Sequence, residues 1–318
     1  MPPWKHVTKR VLFAAFAMYL VVSVTFGLVA LTEDPNEAQV AHKATEEASP
    51  GQEEEAVEEA ISDYRERNNL DDPITERYVR WVVGIATLDW GYSSTQNAPV
   101  TDVIQRTLPA TLAYVLPAML VALVGGVGLG VFSAMNDGTV IERFSTGGLS
   151  LAYGVPNFWW ALVIPMVAPR FVGDALSSIP EFQTIVLPAG ILGTSLMAAQ
   201  LRYARAESNE YVNREFVKLV RAKGASNVRV GRHVLRNAAL PLFSLFFVEL
   251  LGVLVVNVFV LEQILPIGGI GAVGLRAIND RDMALIIGVA IVTAFAGIVG
   301  SLVQDLAHLS LDPRVEAD

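Results

Sequence analysis

The stretch Glu207–Pro241, ESNEYVNREFVKLVRAKGASNVRVGRHVLRNAALP, is a polar, basic island between two long apolar segments. Arg202, Arg205, Arg214, Lys218, Arg221, Lys223, Arg229, Arg232 and Arg236 gather in and beside it, against only Glu207, Glu210 and Glu215, in a chain whose net charge is −9. Tyr211, Glu215, Phe216 and Leu219 recur at roughly helical spacing. Gly224 can stop that helix by taking a left-handed conformation, and Ser226 can cap a second one. The spacing predicts a short helix, a glycine corner and another short helix. Basic residues beside membrane segments are retained on the cytoplasmic face, so the island is expected inside the cell. That rule accounts for its charge but not for the intervals at which Gly224, Asn237 and Pro241 stand.

The composition around this island belongs in a bilayer. Of 318 residues 53% are hydrophobic and 17% charged, with a mean hydropathy of +0.44, whereas soluble domains carry about a quarter charged residues. The absence of cysteine excludes disulfides and thiolate metal sites. Histidine stands only at His6, His42, His233 and His308, too scattered to promise an internal metal centre. The chain contains no Gly-x-x-x-x-Gly-Lys-Ser/Thr, no His-Glu-x-x-His and no Gly-x-Ser-x-Gly, so neither nucleotide nor peptide hydrolysis is expected of it.

Working outward, six runs are long enough to span. Val11–Leu31 is uncharged and follows Lys5, Lys9 and Arg10, which predicts a retained anchor with its N-terminus inside. A cleaved signal would have an apolar core of about 7 to 15 residues and a small-x-small ending, which Leu28-Val29-Ala30 fits poorly. Residues 32–106 are strongly acidic and are expected outside. Their first part, through Gly51, reads as a flexible acidic linker. Ala56, Val57, Ala60, Ile61 and Tyr64 share one helix face, and a second helix is expected over Thr75–Val83, the two forming a small external cap. The remaining runs are Thr107–Asn136, Phe144–Pro169, Phe182–Leu201, Pro241–Leu261 and Met283–Gln304. Gly125, Gly126, Gly128 and Gly130 in the second run suggest close helix packing, and Pro156 predicts a kink in the third. Glu249 is the single acid of the fifth run; an ionisable residue at mid-bilayer costs roughly 2.5–3.5 kcal/mol, so it should face protein or water. Glu249, Asn257 two turns on, and Trp159 are the candidates for a translocation path, with plain helix packing as the other reading for each.

Arg221-Ala222-Lys223-Gly224, His233, Leu235-Arg236-Asn237-Ala238 and Pro241 together resemble the ATPase-docking segment of permeases from binding-protein-dependent ABC importers, in the dipeptide, oligopeptide and nickel branch. The wider family's Glu-Ala-Ala triplet is absent, its positions being Lys218, Leu219 and Val220. Leu88-Asp89-Trp90-Gly91, Arg106–Leu112, Tyr153–Trp160, Glu262 with Leu265–Gly271, and Leu311-Asp312-Pro313-Arg314 resemble further elements of the branch. The resemblance implies an all-α integral membrane protein with six transmembrane helices, like a type I ABC importer permease, and an acidic extracytoplasmic insertion after helix 1. Its parts would be 1–31, the tail and first span; 32–106, the external segment; and 107–313, a core of five spans with the coupling loop 203–240. Glu210, Tyr211, Arg221, Ala222, Lys223, Gly224, His233, Arg236, Asn237 and Pro241 would couple to the ATPase. The implied partners are a second homologous permease, two ABC ATPases that hold ATP and magnesium, an extracytoplasmic solute-binding protein and the lipid bilayer, with no cofactor in this chain and no nucleic acid. The implied location is the plasma membrane, multi-pass, with both termini cytoplasmic. The expected solute is a di- or oligopeptide, with nickel complexes or sugars as alternatives; an ATP-independent channel or structural membrane subunit is the rival of another class.

Overall fold

The computed structural model describes residues 3–32, 35–49, 51–172, 179 and 181–311. Among them the fold is all-α apart from one hairpin. In chain order the helices are α1 Pro3–Leu31, α2 Pro35–Glu47, α3 Glu53–Arg67 and α4 Ile74–Ala86, followed by strands β1 Tyr92–Ser93 and β2 Ala98–Pro99. Then come α5 Val100–Val121, running through a π-helical turn Ala122–Gly126 into α6 Val127–Met135, and α7 Val140–Gly154 with α8 Asn157–Val172. A second π turn, Phe182–Val186, opens α9 Leu187–Val212; α10 Glu215–Ala222, α11 Asn227–Ile264, α12 Ile270–Asn279 and α13 Met283–Leu311 complete the chain. The Leu-Asp-Pro-Arg ending, apart from Leu311, lies outside the described residues.

Four helices are long and apolar enough to cross a membrane, at Val7–Leu31, Val100–Met135, Phe182–Val212 and Met283–Ala307, and α7 with α8 forms a fifth, bent by 98°. This is a multi-pass membrane protein. The expected kink at Pro156 is thus a full break. Val155 takes the extended conformation that a following proline imposes, with φ −99° and ψ 127°, and the helix restarts only at Asn157.

The chain divides into two compact units, one of Met1–Leu12, Arg106–Leu275 and Ala296–Asp318, the other of Phe13–Gln105 and Arg276–Phe295. In the first, α6 and α9 pack at nearly backbone distance. A Cβ on Gly126 would lie 2.8 Å from the Met197 carbonyl oxygen, and one on Gly130 would lie 2.7 Å from that of Leu201 and collide with the Ala204 side chain. Of the four glycines expected to form a packing face, Gly125, Gly126 and Gly130 line this seam, whereas Gly128 has nothing within 4 Å of where a Cβ would stand. Residue numbers rise together along both helices, so α6 and α9 run parallel and the broken α7–α8 pair carries the chain back between them. Near the N-terminal end of α1, Arg10 pairs with Asp305 of α13 at 3.0 Å.

In the second unit, residues 35–47 form a helix where the acidic composition suggested a flexible linker. The breakers there are confined to the ends: Pro35 stands at the first helical position, where its missing N–H costs nothing. Arg65 of α3 then grips Glu37 with two hydrogen bonds, 2.8 and 2.9 Å long. The helix predicted from Ala56, Val57, Ala60, Ile61 and Tyr64 is present as α3, and α4 extends the predicted Thr75–Val83 at both ends. Helix α4 lies along α1: the Tyr78 hydroxyl bonds Tyr19 and Ser23, and Trp81 Nε1 donates to the Val22 carbonyl at 3.1 Å.

The β1–β2 hairpin pairs Tyr92 with Pro99 and Ser93 with Ala98, and it is tied to the start of α13 by buried Asp282. That carboxylate accepts from Ser93 Oγ at 2.6 Å, from Thr95 Oγ1 at 2.7 Å and from the Thr95 and Leu285 N–H groups at 3.1 Å each. Burial pushes the Asp282 carboxyl up, but these hydrogen bonds outweigh it and hold it below the usual carboxylate range. A depressed folded value means the stabilisation is complete at neutral pH and is lost as pH falls through that value. The protection factor of the Thr95 amide against hydrogen exchange is therefore expected to drop on acidification below about pH 4; Asp282→Asn should remove that pH dependence, and a wild-type protection flat down to pH 2 would contradict it.

Candidate functional site

The basic corner folds as its residues dictate. At the end of α10 the Gly224 N–H donates to the Arg221 carbonyl at 2.9 Å and the Ala225 N–H to that of Val220 at 3.3 Å, with Gly224 at φ +75°. These two bonds close a helix C-terminus in a left-handed turn that favours glycine. Ser226 occupies the N-cap position of α11, but its side chain makes no capping bond, contrary to expectation; its carbonyl accepts from the Val230 N–H at 3.0 Å. The predicted second short helix is also absent as a separate element. α11 continues through Pro241, because a proline inside a spanning helix forfeits one backbone bond that surrounding helices can compensate.

The corner has a packed inner face and a bare outer one. Val217 of α10 and Val230 and Val234 of α11 are buried with Val131 of α6, and Tyr211, Phe216 and Val220 close around them. Ala204, Ala238 and Leu242 bury a second cluster where α9 meets α11. Outward stand Lys218, Arg221, Ala222, Lys223, Gly224, Arg229, Arg232, His233 and Arg236, all exposed, with Glu210 at the end of α9. Two apolar side chains share this face, Leu219 at 61% and Val228 at 79% exposure. The helical spacing grouped Leu219 with Tyr211 and Phe216, yet Leu219 stands exposed while those two close around the buried cluster; Val228 carried no expectation, although a large aliphatic residue within a basic island is itself a signal. The Asn237 and Pro241 side chains lie outside the described residues.

Two of the nine basic residues do not belong to the outer face. Arg205 pairs with Asp137 at 2.7 Å and with buried Glu142 at 2.6 Å, joining α9 to the α6–α7 turn. Arg202 lies over the Tyr153 ring at 4.1 Å. Thr139 caps α7 by accepting from the Glu142 N–H at 3.2 Å, so Thr139-x-x-Glu142 was a readable capping signal. The clamp couples the corner's base to the rest of its unit.

Of the path candidates, Asn257 on α11 accepts a 2.6 Å hydrogen bond from Asn157 Nδ2, at the first residue of α8 after the break. Trp159 is exposed and packs edge-on against Trp160 with ring centroids 4.9 Å apart. The Glu249 side chain lies outside the described residues. The structure thus brings Asn257 to the first residue of α8, two positions before Trp159.

The turn after α11 is built on Glu262, which the sequence placed in a motif without a role. Its buried carboxylate accepts from Thr111 Oγ1 at 2.6 Å, Tyr114 Oη at 3.1 Å, and the Gly271 and Ala272 N–H groups at 2.8 and 3.1 Å. Thr111 Oγ1 in turn accepts from the Ile270 N–H at 2.9 Å. The N-terminus of α12 is thereby satisfied and fastened to α5. Gly269 packs so closely that a Cβ would collide with Thr111 and the Glu262 carboxylate.

Comparison with known proteins covers this core. Residues 126–317 match the profile of a family described as the binding-protein-dependent transport system inner membrane component. The match spans the α6–α9 seam, the corner and the Glu262 turn. The chain is similar to the oligopeptide transport system permease protein AppB of Bacillus subtilis, 30% identical over 79% of this chain and 83% of the relative. It is also similar to the dipeptide transport system permease protein DppB of the same organism, 29% identical over 84% and 88%, and to a Brucella abortus protein named as a putative peptide transport system permease, 27% identical over 98% and 99%.

Proposed function

The chain belongs to the family of binding-protein-dependent transport system inner membrane components, a permease and not an enzyme, and from that premise we propose that it carries di- and oligopeptides inward as one half of an ATP-driven importer. The observation that carries the coupling role is the corner at Gly224: a rigid, buried base under an outer face of Arg221, Lys223, Leu219 and Val228. Such a face suits a groove with an apolar floor and an acidic rim on an ATPase subunit. Peptide cargo is favoured by the names of the similar permeases.

In this reading six spans form the protein. The sixth is α11, whose 38 residues reach about 57 Å, longer than a bilayer is thick. Lys5, Lys9 and Arg10 put the N-terminus inside, and an even number of crossings returns the C-terminus there, with 1–31 as tail and first span, 32–106 as the external insertion and 107–313 as the permease core. Two ATPases bind ATP and magnesium, a second permease pairs with this one, and a binding protein delivers solute outside. Closure of the ATPases moves the loop 203–240. Because Arg205 clamps Asp137 and Glu142 and the glycine seam locks α6 to α9, that motion passes to the spans as a body. Nucleotide shifts the equilibrium only if the corner's contacts differ between the inward and outward states. Glu249, Asn257 and Trp159 face the path in this reading.

The test is isolation of the tagged protein from its own membranes, followed by reconstitution. Co-purification of a second permease, two ATPases and a binding protein, with ATP-dependent uptake of a labelled dipeptide, is the expected result. Recovery of the chain alone, with ATP-independent flux, would overturn the importer in favour of a channel.

A further inference from the structure

The second unit holds a groove to which the importer reading assigns no role. Its walls come from one unit, and their depth is set by α1. Helix α4 is bonded along α1 from Tyr19 to Phe26, where the Phe26 ring meets Tyr78 at 5.3 Å and Trp81 at 6.1 Å. Twelve residues separate Tyr19 from Leu31 at the outer end of α1, which is about 18 Å of helix. α4 therefore lies at the level of the outer leaflet, not above it. Its opposite side leaves Ile74, Val79 and Val83 bare, as an interfacial helix does.

Between α1, α3, α4 and the start of α13 the groove has a volume of about 570 Å³, within the range of about 300–1,000 Å³ usual for small-ligand sites. Its floor is apolar and membrane-derived, from Phe26, Val29 and Ala30 of α1 and Ala284 and Ile287 of α13. Its rim carries Arg67, Arg77 and Arg80 against one acid, Asp89, beside Trp81 and Trp90. This is a local inversion of charge, because residues 32–106 hold 17 acidic against 6 basic side chains. Asp63 holds Arg67 at 2.9 Å and Asp72 holds Arg80 at 2.6 Å. Arg77, half-buried, has no side-chain partner among the described residues.

We propose that this groove binds an anionic phospholipid of the outer leaflet, with Arg77 on the phosphodiester. A guanidinium forks two hydrogen bonds onto a phosphate, the two indoles suit the headgroup level, and the floor continues into the lipid-facing Val24 and Leu28 of α1, where an acyl chain would run. That continuity favours a lipid over a soluble peptide. The inference goes beyond the importer reading, and its failure would leave that reading untouched.

Native mass spectrometry of the purified full chain tests it, with phosphatidylglycerol, phosphatidylcholine and soluble glycerol 3-phosphate as probes. Phosphatidylglycerol is expected to bind about tenfold more tightly than phosphatidylcholine, and Arg77→Ala to remove that preference while Arg77→Lys keeps part of it. Glycerol 3-phosphate, lacking the acyl chains, should not compete at equal concentration. A diazirine-bearing phosphatidylglycerol should label α4 and the outer end of α1 in the wild type, a readout that needs no variant. Equal binding of the two lipids, unchanged binding by Arg77→Ala, displacement by glycerol 3-phosphate or by a dipeptide, or labelling confined to other helices would each overturn the proposal.

Discussion

Gly224→Pro is expected to abolish ATP-coupled uptake while leaving the chain inserted in the membrane. The glycine holds φ +75° and its N–H closes the end of α10 on the Arg221 carbonyl. Proline locks φ near −65° and has no N–H to give, so both the turn and the bond are lost. No atom lies within 4 Å of where a Cβ would stand, so crowding is not at issue and only backbone conformation decides. Gly224→Asn should therefore keep most of the uptake, since asparagine tolerates the left-handed region. Arg221→Glu leaves the backbone alone and reverses one charge of the outer face; uptake is expected to fall by about tenfold or more, the size of a typical coupling free energy between sites. The assay is ATP-dependent uptake of labelled peptide in reconstituted complexes, with protease accessibility reporting insertion. Normal uptake by both Gly224→Pro and Arg221→Glu would show that the corner does not transmit the stroke.

Glu262→Ala is expected to destabilise the protein by about 3 kcal/mol or more, because buried donors left without an acceptor cost about 1–3 kcal/mol each. Four donors lose their acceptor at once: Thr111, Tyr114 and the Gly271 and Ala272 amides. Both amides belong to the first turn of α12, which has no acidic residue of its own to replace Glu262. Glu262→Gln keeps an acceptor oxygen and most of the volume, but its amide group adds two donors where donors already converge, so an intermediate loss is expected. Thermal unfolding in detergent measures both. A fall of several degrees for the alanine variant, about 2–4 °C per kcal/mol for a protein of this size class, is the expected result; an unchanged midpoint would mean that the outer turn is held by something other than this carboxylate.

The contrast between these two sites shows what kind of information a chain displays openly. Gly224 was legible because its signal is local: a helical pattern, a glycine, a serine and a second helical pattern within a few residues. Glu262 could be placed in a motif, but Thr111, which it joins, lies 151 residues away. Arg205 was counted with the basic corner by proximity in sequence, yet it is held by Asp137, 68 residues distant, and by the buried Glu142. The acidic stretch at 35–47 was read from composition as a linker, and the bidentate Arg65–Glu37 contact across 28 residues ties it as a helix. At Pro156 and Pro241 the same residue type produced a 98° break and no interruption at all. A proline's own chemistry is identical in both places, so the neighbouring helices decide whether its lost bond is tolerated.

By itself, the sequence determined that this is a multi-pass helical membrane protein, where four of its apolar spans and a broken fifth lie, and where a left-handed glycine turns the basic loop. Those properties follow from segment length, hydropathy and the conformational freedom of a residue without a side chain, all of which are local. Only the tertiary structure decided which polar groups meet: Glu262 with the first turn of α12, Asp282 with the β1–β2 hairpin, Arg205 with Glu142, and Asn157 with Asn257. In an apolar interior each such group must find a partner, but which partner it finds depends on where distant helices cross, and that is set by packing at contacts such as Gly130 on Ala204 rather than by any pattern along the chain.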